Sequence, residues 1–279
     1  MAILWGGGFI VGKMIAGQAG PFTISFLRFF IATAVLAVLV YKKEKYIKID
    51  WPVLANVFGA AFLGIFCYNF LFLSGIKLID ASRGSVIMST VPMVVGIFSY
   101  VVFKEKINFI RSLGIVLSII GASVVITKGK LGVLFSQGIG KGEIDLIVCV
   151  FCATAYALFS KQVLDKVSPL MTMTYITGVG AILSFVPAVI EIQHTPVQFF
   201  SHGFLFCLFY LALGPSVIAV IFYYEAISSV GATRASQYMN LMPVFAVALA
   251  FIFLGEHPSS SLLVGGGLVT FGLYLNNFT

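Results

Sequence analysis

The chain has 279 residues, of which 60% are hydrophobic and only 10% charged, and its mean hydropathy is +1.07. That composition excludes an ordinary water-soluble domain and makes the lipid bilayer the expected solvent. The formal net charge of +7 is carried by short connections between apolar runs, which points to membrane orientation and argues against nucleic-acid binding.

A spanning helix needs roughly 20 apolar residues, and a central charge costs about 2.5–3.5 kcal/mol on insertion scales, so charge-free windows locate the spans. Ten windows qualify: 1–16, 21–41, 52–76, 82–103, 108–127, 144–163, 169–190, 204–227, 233–254 and 259–278. The first is short and starts at Met1 with no charged leader. Lys13 lies at its far end, unlike a signal peptide, and a few residues are expected to precede it. Segment 128–142, KGKLGVLFSQGIGKG, holds three Lys and five Gly and reads as a linker between unit 1–127 and unit 143–279.

Residues 81–125 recur at 232–276 with a constant offset of 151 and no gap, and nine of the 45 aligned positions are identical. Arg83, Met88, Pro92, Glu105, Gly114 and Gly121 fall on Arg234, Met239, Pro243, Glu256, Gly265 and Gly272. Five spans per unit is an odd number, so the second unit starts from the opposite side and the units are expected to be inverted, an arrangement of many transporters. Placing both termini in the cytoplasm puts ten Lys and Arg on the inner side against six on the outer, in line with the positive-inside rule.

Ala81–Glu105, ASRGSVIMSTVPMVVGIFSYVVFKE, and its partner at 232–256, ATRASQYMNLMPVFAVALAFIFLGE, resemble the mid-helix proline and closing glutamate of EamA-type members of the drug/metabolite transporter superfamily. Trp5-Gly6 with Phe9 and Lys13, Arg28-Phe29 with Ala32, and Tyr68 to Gly75 extend the likeness across the chain. The resemblance implies a ten-helix carrier of small metabolites, often an exporter of amino acids or related compounds.

Substrate-binding candidates come from residues that are costly to leave in lipid. Pro92 and Pro243 each deprive a carbonyl one turn earlier of its donor, and such backbone is tolerated only inside protein or beside water. Ser89, Thr90, Gln237 and Asn240 stand near those groups. Hydroxyls at Ser82, Ser85, Ser89 and Ser99 share a helical face, which reads equally as a packing seam. Trp5 and Tyr156, equivalent at the offset of 151, join Tyr68, Tyr223 and Tyr238 as aromatics with a polar handle, although each could also anchor at an interface. Asn69 is expected to face protein or cavity.

Gating or coupling candidates are Arg83, Arg234, Glu105 and Glu256 at span ends, and Glu225 near the inner end of the eighth span. Arg28, seven residues into the second span, reads either as a functional intramembrane charge or as a long side chain that snorkels outward, and Lys13 ends the first span in a plain interfacial role. Gly214-Pro215 is a third helix-break candidate beside Pro92 and Pro243, and Gly6-Gly7-Gly8 and Gly265-Gly266-Gly267 are sites of close helix approach.

Cys149 and Cys152 lie within an apolar span without further ligands, and no nucleotide fingerprint or nucleophile, base and acid set appears, so neither cofactor, metal nor enzymatic catalysis is expected. The expected protein is an all-helical polytopic membrane carrier. Its cavity is placed between spans 1, 3, 4 and 6, 8, 9, and its partners are a small neutral or zwitterionic solute, the bilayer, and a proton or counter-substrate. The coupling and the oligomeric state stay open. A multidrug cation exporter is the alternative, and an intramembrane enzyme or receptor is the less favoured one.

Overall fold

The computed structural model describes residues 1–44, 50–103, 109–129, 139–194, 201–230, 238 and 241–277. In an apolar solvent every backbone N–H and C=O must find a partner within the protein, and the helix meets that demand within each segment. The described residues accordingly fold as helices: α1 Ala2–Ile15, α2 Pro21–Lys43, α3 Trp51–Ala61, α4 Tyr68–Leu78, α5 Ala81–Met88, α6 Val91–Phe103 and α7 Phe109–Ile126. The second half continues with α8 Lys141–Leu164, α9 Pro169–His194, α10 His202–Leu213, α11 Ala219–Val230, α12 Met242–Leu254 and α13 Ser260–Asn277.

Starts and stops follow local chemistry. Pro21 opens α2 and Pro243 sits in the first turn of α12, where a missing N–H costs nothing. Ser201 caps α10 by accepting from the Phe204 N–H at 3.1 Å. Gly255 ends α12 at φ +65°, a left-handed conformation that glycine adopts without penalty. Pro92 cannot offer an N–H to Met88, and the chain tightens there: Thr90 N–H donates to Ile87 O, three residues back, separating α5 from α6.

Among the described residues six continuous helical stretches are long and apolar enough to cross a membrane, and four shorter apolar helices accompany them. Large apolar side chains such as Ile182, Phe206 and Ile252 are more than two-thirds exposed, as suits a surface solvated by lipid. The loops after α1, α4, α7, α9 and α12 meet on one face: Lys13 reaches Ile79 and Glu256, Gly129 lies against Ser261, and Ser201 bonds Gln18. That face is called here the Lys13 face. On the other, Ser168 at the start of α9 donates to Glu44 beyond α2.

Two features recur at the offset of 151. The third and eighth apolar segments each contain a π-helical turn, Phe62–Cys67 and Gly214–Ile218, ending on equivalent residues. Four glycines join α7 to α13. A Cβ on Gly121 would lie 2.5 Å from Gly265 O, and one on Gly272 would lie 2.5 Å from Gly114 O. The two backbones therefore run antiparallel in close contact, and the pair Gly114/Gly272 maps onto Gly265/Gly121 when the halves are exchanged.

Gly265→Leu is expected to force α13 from α7 and to cost about 1–3 kcal/mol by overpacking. Gly267→Leu, two residues along where nothing lies within 4 Å, stays within about 0.5 kcal/mol of the parent. Thermal unfolding in detergent distinguishes the two, and equal melting temperatures would contradict the contact.

Candidate functional site

Side chains from distant helices converge on the two π turns. A π turn widens the ladder and leaves a carbonyl to be satisfied from outside, a local irregularity frequent at functional sites. Trp5 Nε1 donates to Pro215 O in the second turn at 3.0 Å, and its ring meets that of Tyr223 edge-on with centroids 5.7 Å apart. At the equivalent place in the first turn stands Gly64, where a Cβ would fall 2.1 Å from the Tyr156 ring. Trp5 and Tyr156 thus each close over the turn of the opposite half, and the Tyr156 hydroxyl reaches Met173 Sδ at 3.4 Å.

Between the turns lies Arg28 of α2. Its Nε donates to Ser216 Oγ at 3.0 Å and its Nη1 to Asn69 Oδ1 at 3.3 Å. Asn69 is buried and is fixed by donating from Nδ2 to Ile65 O of the first turn at 2.8 Å. Ser216 donates to Leu211 O, five residues back, at 3.0 Å. The Tyr68 ring stacks on Phe72 next to this group. Arg28 therefore points into the bundle and does not snorkel outward, which decides between the two readings its position allows; two acceptors hold it there.

The hydroxyls of α5 behave differently. Ser85, Ser89 and Thr90 are buried and donate to the carbonyls of Ser82, Val86 and Ile87, each at 2.7 Å, so their protons are used inside their own segment. Tyr238 is 56% exposed, and the Glu225 side chain is also exposed. Gln237, Asn240, Arg234 and Glu105 lie outside the described residues.

A second cluster closes the Lys13 face. Glu256, in the α12–α13 connection, accepts from Ala81 N–H at 2.9 Å, Ser82 N–H at 3.0 Å and Ser82 Oγ at 2.7 Å. Those N–H groups are the unpaired donors of the α5 start, where a negative charge is favoured. Lys13 adds an ion pair to Glu256 at 3.2 Å and donates to Ile79 O at 2.7 Å, with Asp80 at 3.8 Å. The plain interfacial role expected for Lys13 is thereby replaced by a tie between α1, the α4–α5 turn and the α12–α13 connection. Beside it Arg83 pairs with Glu143 of α8 at 2.9 Å and donates to Ile126 O at the end of α7 at 2.9 Å.

Partial burial opposes the charge on Glu256, but the Ser82 and Ala81 donors and the Lys13 ammonium outweigh it and hold the carboxyl below its ordinary 4.5.

Among the described residues a cavity opens at the Lys13 face. It holds about 380 Å³ and is bounded by the α1–α2 loop at Gly17, by Ile24, Leu73 and Lys77, and by Asp145 and Glu191 of the second half. Glu191 also caps α2, accepting from Thr23 N–H at 2.7 Å and Thr23 Oγ1 at 2.8 Å.

The sequence profile of the EamA-like transporter family matches residues 1–127 and again 140–278. The chain belongs to that family. It is thereby a member of the drug/metabolite transporter superfamily, an integral membrane transporter and not a member of an enzyme class. An uncharacterized transporter of Archaeoglobus fulgidus is 27% identical over 274 residues, 98% of this chain and 93% of that one. The uncharacterized transporter YyaM of Bacillus subtilis is 24% identical over 273 residues, 98% of this chain and 89% of that one. A chloroplastic WAT1-related protein of Arabidopsis thaliana is 24% identical over 283 residues, covering 98% of this chain and 67% of that one. A crystal structure at 18% identity superposes with a TM-score of 0.68 over 99% of this chain and 98% of its own, which shows a shared fold.

Sequence reasoning missed the π turn at Phe62–Cys67 and the partners of Lys13, and it left the aim of Arg28 open. Pro215 marks the second π turn in the sequence, whereas the first has only Gly64 at the equivalent position.

Glu256→Gln removes the charge but not the shape, and is expected to cost the α5 start about 1.5–3 kcal/mol of hydrogen-bond stabilisation. Deuterium uptake at Ala81 and Ser82 should rise accordingly, and unchanged protection would contradict the tie. Because the folded carboxyl titrates below 4.5, the tie contributes fully above that pH and fades as pH falls through the lower folded value. The melting temperature of the parent should fall more steeply with acidification in that window than that of Glu256→Gln.

Proposed function

We propose that the protein is an alternating-access carrier of small neutral or zwitterionic metabolites, with amino acids the foremost class. Its two units, 1–127 and 143–279, are read as inverted repeats of five spans joined by linker 128–142, in a cell membrane with both termini cytoplasmic; a bacterial inner membrane suits that orientation. One observation carries the reading. Equivalent residues at the offset of 151 make reciprocal contacts: Trp5 on Pro215 with Tyr156 on Gly64, and Gly114 on Gly272 with Gly121 on Gly265. A two-fold relation that turns antiparallel helices into one another supports inversion, and inversion supplies two exchangeable states.

Within this reading, Trp5, Tyr68, Asn69, Tyr156 and Tyr223 line the substrate path at the π turns. Ser89, Thr90, Gln237, Tyr238 and Asn240 flank it at the breaks before Pro92 and Pro243. The Glu256 tie is the closed gate on the Lys13 face. Glu105 with the start of the ninth span is its counterpart opposite, and Arg83 and Arg234 reinforce the two. Glu225 and Glu256 are the candidates for coupling to a proton. The inward guanidinium of Arg28 disfavours a cation exporter, because a carboxylate would be needed there to receive a cation.

The direct test is flux in reconstituted vesicles against labelled amino acids and organic cations, with and without a pH gradient. Saturable amino-acid flux is expected; saturable cation flux alone would contradict the substrate class. Trp5→Ala and Tyr156→Ala should each lower amino-acid flux at least about tenfold, or ~1.4 kcal/mol, since each removes an aromatic cover from a π turn. Full rates in both would remove the π turns from the path.

A further inference from the structure

Arg28 is a charged donor set only partly used. Guanidinium carries five N–H donors in a planar fork. Nε serves Ser216 and one hydrogen of Nη1 serves Asn69, which leaves three donors, both hydrogens of Nη2 and the second of Nη1, so that Nη2 can pair with a neighbouring donor toward an incoming acceptor. Among the described residues no carboxylate lies within 4.0 Å of it. The side chain stays partly accessible although it sits eight residues into a helix that crosses the bundle, about 10 Å from its start at 1.5 Å per residue. A cation held at that depth by two neutral acceptors and by the Phe29 ring, whose centroid is 4.9 Å from its Cζ, still lacks a counter-charge and is costly unless an anion completes it.

The surroundings argue for an anion that comes and goes. Both acceptors are positioned by π turns: Asn69 through Ile65 O, and Ser216 through Leu211 O. The turns thus orient the fork and leave its outer edge free. One helical turn nearer the Lys13 face, on the same sides of α2 and α4, stand Ile24 and Leu73, and these form part of the lining of the 380 Å³ cavity. The cavity rim carries Lys77, Lys141, Asp145 and Glu191, charges of both signs that suit a solute bearing both. The repeat adds an independent sign. At the offset of 151 Arg28 becomes Val179 and Asn69 becomes Val220, so this polar pair exists in one half only. Machinery shared by both states is duplicated here, whereas a group that reads the cargo need occur once.

We propose that Arg28, oriented by Asn69 and Ser216, binds the carboxylate of the transported solute through the free edge of its guanidinium, so that the substrates are carboxylates, zwitterionic or anionic, entering from the cavity past Ile24 and Leu73. A carboxylate accepts two parallel N–H bonds from that edge, the fork-to-fork geometry that distinguishes it from an amide or an amine. This inference rests on the carrier reading and narrows its substrate class.

The test is flux in reconstituted vesicles of labelled leucine, glutamate and 4-methyl-2-oxopentanoate, against leucinamide and isopentylamine, which lack the carboxylate. The parent is expected to carry at least one carboxylate at least tenfold faster than its carboxylate-free analogue. Arg28→Gln should abolish that preference, and Arg28→Lys should keep it with a raised KM and little change in kcat, an outcome a purely structural arginine would not give. Asn69→Ser, which leaves the charge in place, should weaken the preference less than Arg28→Gln and serves if Arg28→Gln does not fold. Equal flux of leucine and leucinamide in the parent, or an intact preference in folded Arg28→Gln, overturns the anchor and leaves the carrier reading standing. Saturable flux of leucinamide or isopentylamine without any carboxylate also overturns the anchor, and absence of flux for all five overturns the carrier reading as well.

Discussion

An apolar solvent offers nothing to an unpaired backbone carbonyl, and each one left open costs several kcal/mol. The two π turns open carbonyls in the middle of the bundle, and the rest of the site is arranged around closing them. Trp5 covers Pro215 O and Ser216 covers Leu211 O, while Asn69 adds a second donor to Ile65 O, which also accepts from the Tyr68 N–H. Each of these side chains then has a second capability, an aromatic face, an amide oxygen or a hydroxyl lone pair, directed to the space between the turns. Satisfying the backbone and building a polar patch at depth are here one act. Arg28 can reside in the bundle because two of those satisfied groups still accept.

The Lys13 face follows the same logic at a helix end. The first turn of α5 presents unpaired donors, and Glu256 supplies the acceptors from the far end of the other half. Lys13 balances the charge that remains. In the proposed carrier this contact of three hydrogen bonds and one half-buried ion pair is the gate on the Lys13 face. At the offset of 151 the equivalent of Lys13 is Leu164, so the ion pair has no sequence counterpart on the opposite face.

Much of this was legible in the sequence, because apolar length, proline position and glycine spacing act locally. Charge-free windows fall on apolar helices among the described residues, Pro92 marks the break between α5 and α6, and Gly265 lies in a triplet expected at a close helix approach, whereas Gly114, Gly121 and Gly272 stand out in the sequence only as repeat identities. The sequence leaves the aim of Arg28 open, because a long side chain eight residues from a helix start has two outcomes, outward to water or inward to acceptors. The acceptors that decide it lie 41 and 188 residues away in sequence. The turn at Phe62–Cys67 leaves no mark in the sequence, since its residues are apolar with no proline, and the Tyr156 ring that Gly64 lies against is distant in sequence. The Lys13 and Glu256 pairing spans 243 residues and depends on how the halves dock.

The central claim is that the Glu256 tie opens and closes during each transport cycle. Lys13→Cys with Glu256→Cys, in a protein whose Cys67, Cys149, Cys152 and Cys207 are replaced, allows the tie to be bridged by a bifunctional methanethiosulfonate that spans the length of the two replaced side chains and to be released by reduction. Solute flux in reconstituted vesicles should stop when the pair is crosslinked and return when it is reduced. Undiminished flux through fully crosslinked protein would contradict the account.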